Sequence, residues 1–98
     1  MYVLEQTPEF ETWFNNLRDN TIKNRLLARL ARVENGNFGD YKVLDSHLME
    51  FRMTFGGGLR VYYTKKKKKI ILLLQGGDKS SQSRDIDKAK QLLVNLED

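Results

Sequence analysis

The 98-residue sequence contains no cysteine, one histidine and one proline. The absence of cysteine excludes disulfides, thiolate metal sites and a cysteine nucleophile. A single histidine leaves little with which to build an imidazole metal site. We therefore expect a protein that works without a metal or any other cofactor.

Long hydrophobic runs are also missing. No window approaches the roughly 20 apolar residues that a membrane-spanning helix requires. The first ten residues, MYVLEQTPEF, lack the basic start and apolar run of a signal peptide. We expect a cytoplasmic protein without a membrane partner, and the length favours one domain, residues 1–98, with one modest core.

Basic residues outnumber acidic ones, with 17 lysines and arginines against 13 aspartates and glutamates and a formal net charge of +4. This balance favours polyanionic partners, but many basic proteins bind none, so the positions of the charges must decide. The densest run is KKKKK at 65–69. It is either a solvated hairpin tip or a finger that binds phosphates and releases their counterions.

The first third of the chain has the pattern of a short edge strand, residues 2–6, followed by two helices. Thr7 can cap the first helix and Pro8 suits its first turn. Its apolar face is interpreted as core and contains Phe10, Trp13, Phe14 and Leu17. A second helix is predicted from Asp19 or Asn20. Its inward face is predicted to contain Ile22, Leu26, Leu27, Leu30 and Val33. Its opposite face carries Lys23, Arg25, Arg29 and Arg32.

From residue 41 the pattern changes to the period of two that is typical of strands. Four stretches have it: YKVL (41–44), LMEFRMTF (48–55), LRVYYT (59–64) and IILLLQ (70–75). The last is apolar on both faces and should lie inside the sheet. A terminal helix follows, with the apolar stripe Ile86, Ala89, Leu92, Leu93 and Leu96.

These patterns predict an α+β fold in the order β-α-α-β-β-β-α. We expect an antiparallel-rich, twisted sheet packed against an N-terminal helical hairpin and a C-terminal helix.

Three glycines at 56–58 join two of the predicted strands, and a three-residue turn there fixes the register of the hairpin. In that register Arg52 lies opposite Tyr62 and Thr54 lies opposite Arg60, all on the face turned away from the core. Arginine offers a planar donor fork that suits phosphate oxygens, and tyrosine stacks on bases. This water-facing surface either serves solubility alone or binds a phosphodiester.

The loop GGDKSSQ (76–82) follows the last strand and precedes a helix. Lys79 and the backbone amides near Ser80 and Ser81 can present positive charge to an anion there. The two serines can equally be helix caps.

Three segments together resemble one family of toxins. They are FGDYKVLDSHLMEFRM (38–53), GGGLRVYY (56–63) and IILLLQGGDKSSQSRDIDKAK (70–90). In order and spacing they are similar to the RelE/ParE toxin superfamily, specifically its HigB-like addiction module killer branch. The resemblance implies the toxin of a type II toxin–antitoxin module. Such a toxin is a metal-independent endoribonuclease that cleaves mRNA on the ribosome and inhibits translation. The partner implied is a cognate antitoxin of the helix-turn-helix, HigA-like kind, through which alone the toxin reaches operator DNA.

The resemblance also carries functional residues onto this sequence. We expect the catalytic residues to be Arg52, Arg60 and Lys79. The expected RNA-binding residues are Lys42, Glu50, Tyr62 and Gln82, together with Lys65 and Lys66 from the lysine run. Cleavage by an adjacent 2′-hydroxyl needs charge stabilised on the phosphoryl oxygens, which suits the two arginines. No residue is assigned as the general base, and His47 is interpreted as a surface turn residue.

Two other functions stay open. One is a ParE-like toxin that inhibits gyrase without cutting RNA, and the other is an inactive module that only binds the antitoxin. The pair of arginines together with Lys79 favours the nuclease.

Overall fold

Five strands and three helices make up residues 1–96, the part of the chain that the computed structural model describes. The strands are β1 (Val3–Gln6), β2 (Tyr41–Asp45), β3 (Leu48–Arg52), β4 (Arg60–Lys67) and β5 (Ile70–Gly77). The helices are α1 (Pro8–Asn15), α2 (Asn20–Glu34) and α3 (Gln82–Leu96), the last preceded by a 3-10 turn, Lys79–Ser81.

The predicted α+β fold is confirmed. The order is β-α-α-β-β-β-β-α, one strand more than predicted, because each of the four stretches with a period of two forms its own strand. The predicted single domain, residues 1–98, includes residues 97 and 98, which lie outside the described part, and it stays a prediction.

The strand order in the sheet is β1-β5-β4-β3-β2. β1 lies at the edge, as predicted, and runs parallel to β5, whereas the other pairs are antiparallel. β5 is an interior strand whose side chains alternate between two cores. Ile71 and Leu73 belong to one core, and Leu72 and Leu74 to the other. Burial on both faces is the reason why this strand is apolar throughout.

The two cores lie on opposite faces of the sheet. The core under α1 and α2 includes Phe10, Leu26, Leu30, Val33, Phe51, Met53, Val61 and Tyr63. The core under α3 includes Leu48, Tyr62, Leu72, Leu74 and Ala89. The face of the β3–β4 hairpin that carries Tyr62 was expected to face water. It is instead covered in part by α3.

Thr7 connects the end of β1 to the start of α1. Its hydroxyl accepts a hydrogen bond from the amide of Phe10 at 3.0 Å and donates one to the carbonyl of Leu74 at 2.7 Å. Replacing Thr7 with alanine is expected to lower the free energy of unfolding by about 1–2 kcal/mol, measured by urea denaturation. Thr12→Ala, at an exposed position of α1, is the control and should change it by about 0.5 kcal/mol or less. Equal effects at the two positions would contradict the capping role.

Arg29 corrects the prediction for α2. It was placed on the solvent face, but it is buried, and its guanidinium donates to the carbonyls of Phe38, Asp40 and Arg52 at 2.7–2.9 Å. Burial lowers the pKa of Arg29. This side chain therefore joins α2 to the loop before β2 and to the end of β3.

Two leucines that were predicted to be buried are exposed. Leu27 in α2 is 51% exposed and Leu96 at the end of α3 is 48% exposed. The other predicted members of the two stripes are buried or partly buried. Within residues 1–96 no helix combines the length and the apolar character needed to cross a membrane.

The β3–β4 hairpin differs from the predicted register by two residues. Arg52 pairs with Arg60, and Glu50 pairs with Tyr62. Because side chains alternate with a period of two, a shift of two keeps these four residues on one face. The predicted placement of Arg52, Arg60 and Tyr62 on one face is therefore confirmed, whereas the predicted pairs and the place of Thr54 on that face are wrong.

The shift arises because the connection is longer than three residues. The amide of Met53 donates to the carbonyl of Leu59, so the loop spans residues 54–58. Thr54, predicted to lie opposite Arg60, is in this loop. The three glycines have positive φ angles of 61°, 73° and 81°, a conformation that glycine adopts without steric cost.

The lysine run is mostly strand rather than a hairpin tip. Residues 65–67 extend β4, and two residues, 68 and 69, connect it to β5. Lys66 forms an ion pair with Glu5 of β1 at 3.0 Å. Lys65 and Lys69 lie over aromatic rings, those of Phe38 and Tyr2 respectively.

Candidate functional site

Glu50 is the centre of a polar cluster, which we define as Glu50, Arg52, Arg60 and Gln82. The Glu50 side chain is fully buried, and its Oε1 lies 3.6 Å from Arg52 Nε and 3.8 Å from Arg60 Nε. These distances are too long for hydrogen bonds, so both contacts are electrostatic. Gln82 Nε2 donates to the two carboxylate oxygens at 3.1 and 3.3 Å. Two strands and the first turn of α3 thus meet at one buried negative charge.

The two arginines of the cluster differ in what they can bind. The Arg60 side chain is only 7% exposed. Its Nη1 donates to the carbonyls of Met53, Gly58 and Leu59 at 3.1–3.4 Å. The Arg52 side chain is 40% exposed. Arg52 is therefore the guanidinium that a ligand can reach. Arg60 instead fixes the loop of residues 54–58, which we call the glycine loop.

Lys79 lies beside Arg60 at the rim of the cluster. Its amide donates to the carbonyl of Gly57 at 3.4 Å, which ties the 3-10 turn to the glycine loop. Gly58 separates the two cations, since a Cβ built on it would lie 3.3 Å from Lys79 Cβ and 3.5 Å from Arg60 Nη1. The exposed Lys79 side chain adds positive charge next to Arg60.

Tyr62 shares the face of the cluster but is fully buried in the core under α3. Its hydroxyl has no hydrogen-bond partner within residues 1–96. Burial, and then the nearby charges of Glu50 and Asp85, raise its pKa. In this conformation the ring is not available for the stacking on a base that the sequence suggested.

The structure brings together only some of the residues expected in the site. Lys42 is exposed on β2 directly opposite Glu50 and so borders the cluster. Lys65 and Lys66 lie at the other end of β4, about 20 Å along the strand from Arg60. His47 precedes β3 and is about 17 Å along that strand from Arg52. The last three residues therefore lie away from the two arginines of the cluster.

The serines of the GGDKSSQ loop are engaged with aspartates. Asp78 accepts hydrogen bonds from the amide and the hydroxyl of Ser80, and its pKa is lowered, mainly by the hydroxyl. The Ser81 hydroxyl donates to Asp85. Asp78 is therefore the cap of the turn, and both serine hydroxyls donate hydrogen bonds to aspartates.

Asp85 is a buried carboxylate that the sequence reasoning missed. It is 6% exposed and packs on Gly77. The signal available in the sequence was the pair of glycines at the end of an apolar strand, since glycine inside a strand often marks the close approach of another group.

Two tyrosines should respond to alkaline pH as buried phenols. Burial raises the pKa values of both Tyr62 and Tyr63. An unfolded phenol ionises near pH 10, so the stability that they contribute is complete below about pH 10 and is lost as the pH rises through the higher folded values. In a spectrophotometric titration of phenolate, two of the four tyrosines should stay protonated until the chain unfolds. Ionisation of all four before unfolding would contradict this.

The phage-derived protein Gp49-like (DUF891) family matches residues 12–94 of the chain. The chain belongs to this family. An uncharacterised protein of Haemophilus influenzae is 38% identical to this Gp49-like chain over 93 residues, which are 95% of this chain and 94% of that protein.

The fold of the Gp49-like chain is also found in a solved structure. The crystal structure of the intact E. coli RelBE toxin–antitoxin complex contains a chain that matches it with a TM-score of 0.63. The match covers 80% of this chain and 96% of that one, at 14% sequence identity. At this identity the likeness establishes a common fold.

Proposed function

We propose that this Gp49-like chain is the HigB-like toxin of a type II toxin–antitoxin module, a ribosome-dependent mRNA endoribonuclease that inhibits translation in the cytoplasm. The observation that carries the proposal is the half-exposed Arg52, which pairs with Arg60 across β3 and β4, while Lys79 lies next to Arg60. Clustered cations whose positions are fixed by the fold are suited to stabilising a phosphoryl group that gains charge.

In the proposed reaction a 2′-hydroxyl attacks the adjacent phosphate and the 5′-oxygen leaves. Arg52 binds the phosphoryl oxygens as their charge increases. Lys79 at the rim adds a second cation that can stabilise or protonate the leaving oxygen. Arg60 contributes positive charge from its buried position and holds the glycine loop.

Glu50 has a different role from the direct RNA contact expected from the sequence. With no exposed surface it cannot touch RNA in this conformation, so we assign it to positioning the two guanidinium groups. Gln82 in turn orients the Glu50 carboxylate. Tyr62 supports the same face from the core.

The exposed lysines are proposed to bind RNA by charge alone. Lys42 borders the cluster and extends the cationic surface along β2. Lys65 and Lys66, about 20 Å away along β4, would meet more distant phosphates of the message or the ribosome. Because the cluster has few groups that transfer protons at neutral pH, we expect free RNA to be cleaved far more slowly than mRNA on the ribosome.

The proposed toxin function also implies the partners of the chain. A cognate antitoxin, of the HigA-like helix-turn-helix kind, would cover the cationic surface with an acidic segment. Operator DNA would be bound only through this antitoxin.

The test is 5′-end mapping of transcripts in a translating extract. Wild-type protein should produce new ends in phase with codons, and Arg52→Ala should reduce them at least about tenfold. Arg32→Ala is the matched control, because it removes an exposed arginine from α2, and it should leave the cleavage unchanged. Thermal unfolding of both variants establishes that they fold. Full cleavage by a folded Arg52→Ala protein would remove Arg52 from the mechanism.

One observation favours a second candidate, a ParE-like inhibitor of gyrase. The carboxylate of the polar cluster is buried, which leaves the cluster without an exposed proton acceptor. Transcripts that stay whole while DNA supercoiling is blocked would establish this alternative. If neither is affected and the antitoxin still binds, the chain is an inactive antitoxin-binding module.

A further inference from the structure

A cleft of about 430 Å³ lies beside the end of β5, where α1 and α3 approach each other. We name it the Trp13 cleft. Its lining includes Trp13, Leu59, Gln75, Gly76, Arg84 and Lys88. None of the four residues of the polar cluster lines it, but Gly56 and Asp78 do, so the cleft is a distinct pocket that adjoins the cluster.

Gln75 in this cleft has an unused hydrogen-bond acceptor. The residue is only 9% exposed, and its Nε2 donates to the carbonyl of Gly76 at 3.1 Å. Its Oε1 has no partner among the described residues. An unpaired buried acceptor destabilises the fold, and a ligand that brings an N–H group would remove this cost.

Trp13 supplies an aromatic wall to the same cleft. Its indole rests directly on Gly76, where any side chain would collide with the ring. The indole is partly exposed and borders the cleft on its open side. Bases stack favourably on such a ring whatever their sequence, because every base has a π face.

Two cations complete the rim. Arg84 and Lys88 are four residues apart in α3, so their side chains lie on the same side of the helix. Both are exposed, and neither is in an ion pair within residues 1–96. Asp85, between them in sequence, is engaged by the Ser81 hydroxyl. Asp78 and Asp85 also line the cleft, and the charge of Arg84 helps to lower the pKa of Asp78. A phosphate between Arg84 and Lys88 therefore shares Arg84 with Asp78.

We propose that the Trp13 cleft binds one unpaired nucleotide of RNA. The base lies against Trp13, an amino group of the base donates to Gln75 Oε1, and the phosphate lies between Arg84 and Lys88. This inference rests on the proposed function for its source of RNA, and it adds a nucleotide site outside the polar cluster.

Trp13 is the only tryptophan of the chain, so its fluorescence reports binding directly. AMP should quench it saturably. Purine riboside 5′-monophosphate, which lacks the amino group, should bind at least about fivefold more weakly, a difference of about 1 kcal/mol. In Gln75→Met the two ligands should bind equally. A short adenosine-rich single-stranded RNA should bind at least as tightly as AMP, because RNA is the proposed source.

The double variant Arg84→Gln/Lys88→Gln should weaken AMP binding at least about fivefold. The control, Arg32→Gln/Lys90→Gln, removes two exposed cations outside both sites and should leave the affinity for AMP unchanged. Circular dichroism of each variant verifies the fold.

Several outcomes would overturn the inference. They are no saturable quenching by millimolar AMP, equal affinity of the wild type for the two purine nucleotides, and pyrophosphate competing as well as AMP. Tighter binding of AMP than of the RNA would identify a site for free nucleotides instead. All these measurements are made without a ribosome, so a failure here is distinguishable from a failure of mRNA cleavage in the extract.

Discussion

Glu50→Ala is expected to lower the free energy of unfolding by about 3–5 kcal/mol, measured by chemical denaturation. The substitution removes the fully buried carboxylate that lies 3.6 and 3.8 Å from two guanidinium groups. Arg60 is then left as a buried cation without its counter-charge, and Gln82 loses its acceptor. Loss of one partner from a buried ion pair is costly because the other charge stays desolvated.

Two comparisons make this prediction specific. Glu5→Ala removes a carboxylate from the exposed ion pair with Lys66 and should cost about 1 kcal/mol or less. Glu50→Gln/Gln82→Glu exchanges amide and carboxylate within the cluster and should be more stable than Glu50→Gln alone. If Glu50→Ala costs no more than Glu5→Ala, the buried charge does not organise the two arginines.

Gly77→Ala is expected to destabilise the fold by about 2–3 kcal/mol. A Cβ at this position would overlap the Asp85 carboxylate and would lie 2.9 Å from Ser81 Oγ. Asp85 is buried, so it cannot swing into solvent without losing the hydroxyl of Ser81. The end of β5 and the start of α3 would have to separate, which thermal or denaturant unfolding would detect.

The matched test for Gly77 is a double-mutant cycle. In Gly77→Ala/Asp85→Ala the obstructing carboxylate is absent, so the two effects should be clearly less than additive. Gly36→Ala is a second comparison, because a Cβ there meets nothing within 4 Å and only the positive φ of 91° opposes it. An additive cycle would show that the cost at Gly77 has another origin.

Local signals in the sequence predicted most of the fold. Thr7 caps α1 as predicted, and Asp19, one of the two predicted starts of the second helix, caps α2, since capping depends only on neighbouring amides. Strand alternation placed Arg52 and Arg60 on one face, since the period of two fixes faces even where the register is wrong.

Features that depend on distant contacts could not be predicted in the same way. Arg29 lies at helical spacing from Leu26 and Val33, within the buried stripe, but its charge suggested solvent. Only the carbonyls of residues 38, 40 and 52, gathered by the folded chain, make its burial favourable. The burial of Glu50 likewise depends on α3 packing over the hairpin, which no local pattern encodes.

The pairing of β1 with β5 has a consequence for synthesis of the chain. β1 is made first, yet its strand partner, residues 70–73 of β5, is made about 65 residues later. Contacts between such distant segments form late, because a long loop must close before they are gained. A nascent chain that stops before residue 70 has an N-terminal strand without its partner and two half-built cores. We therefore expect the growing chain to stay incompletely folded, and accessible to proteases and chaperones, until β5 has left the ribosomal tunnel.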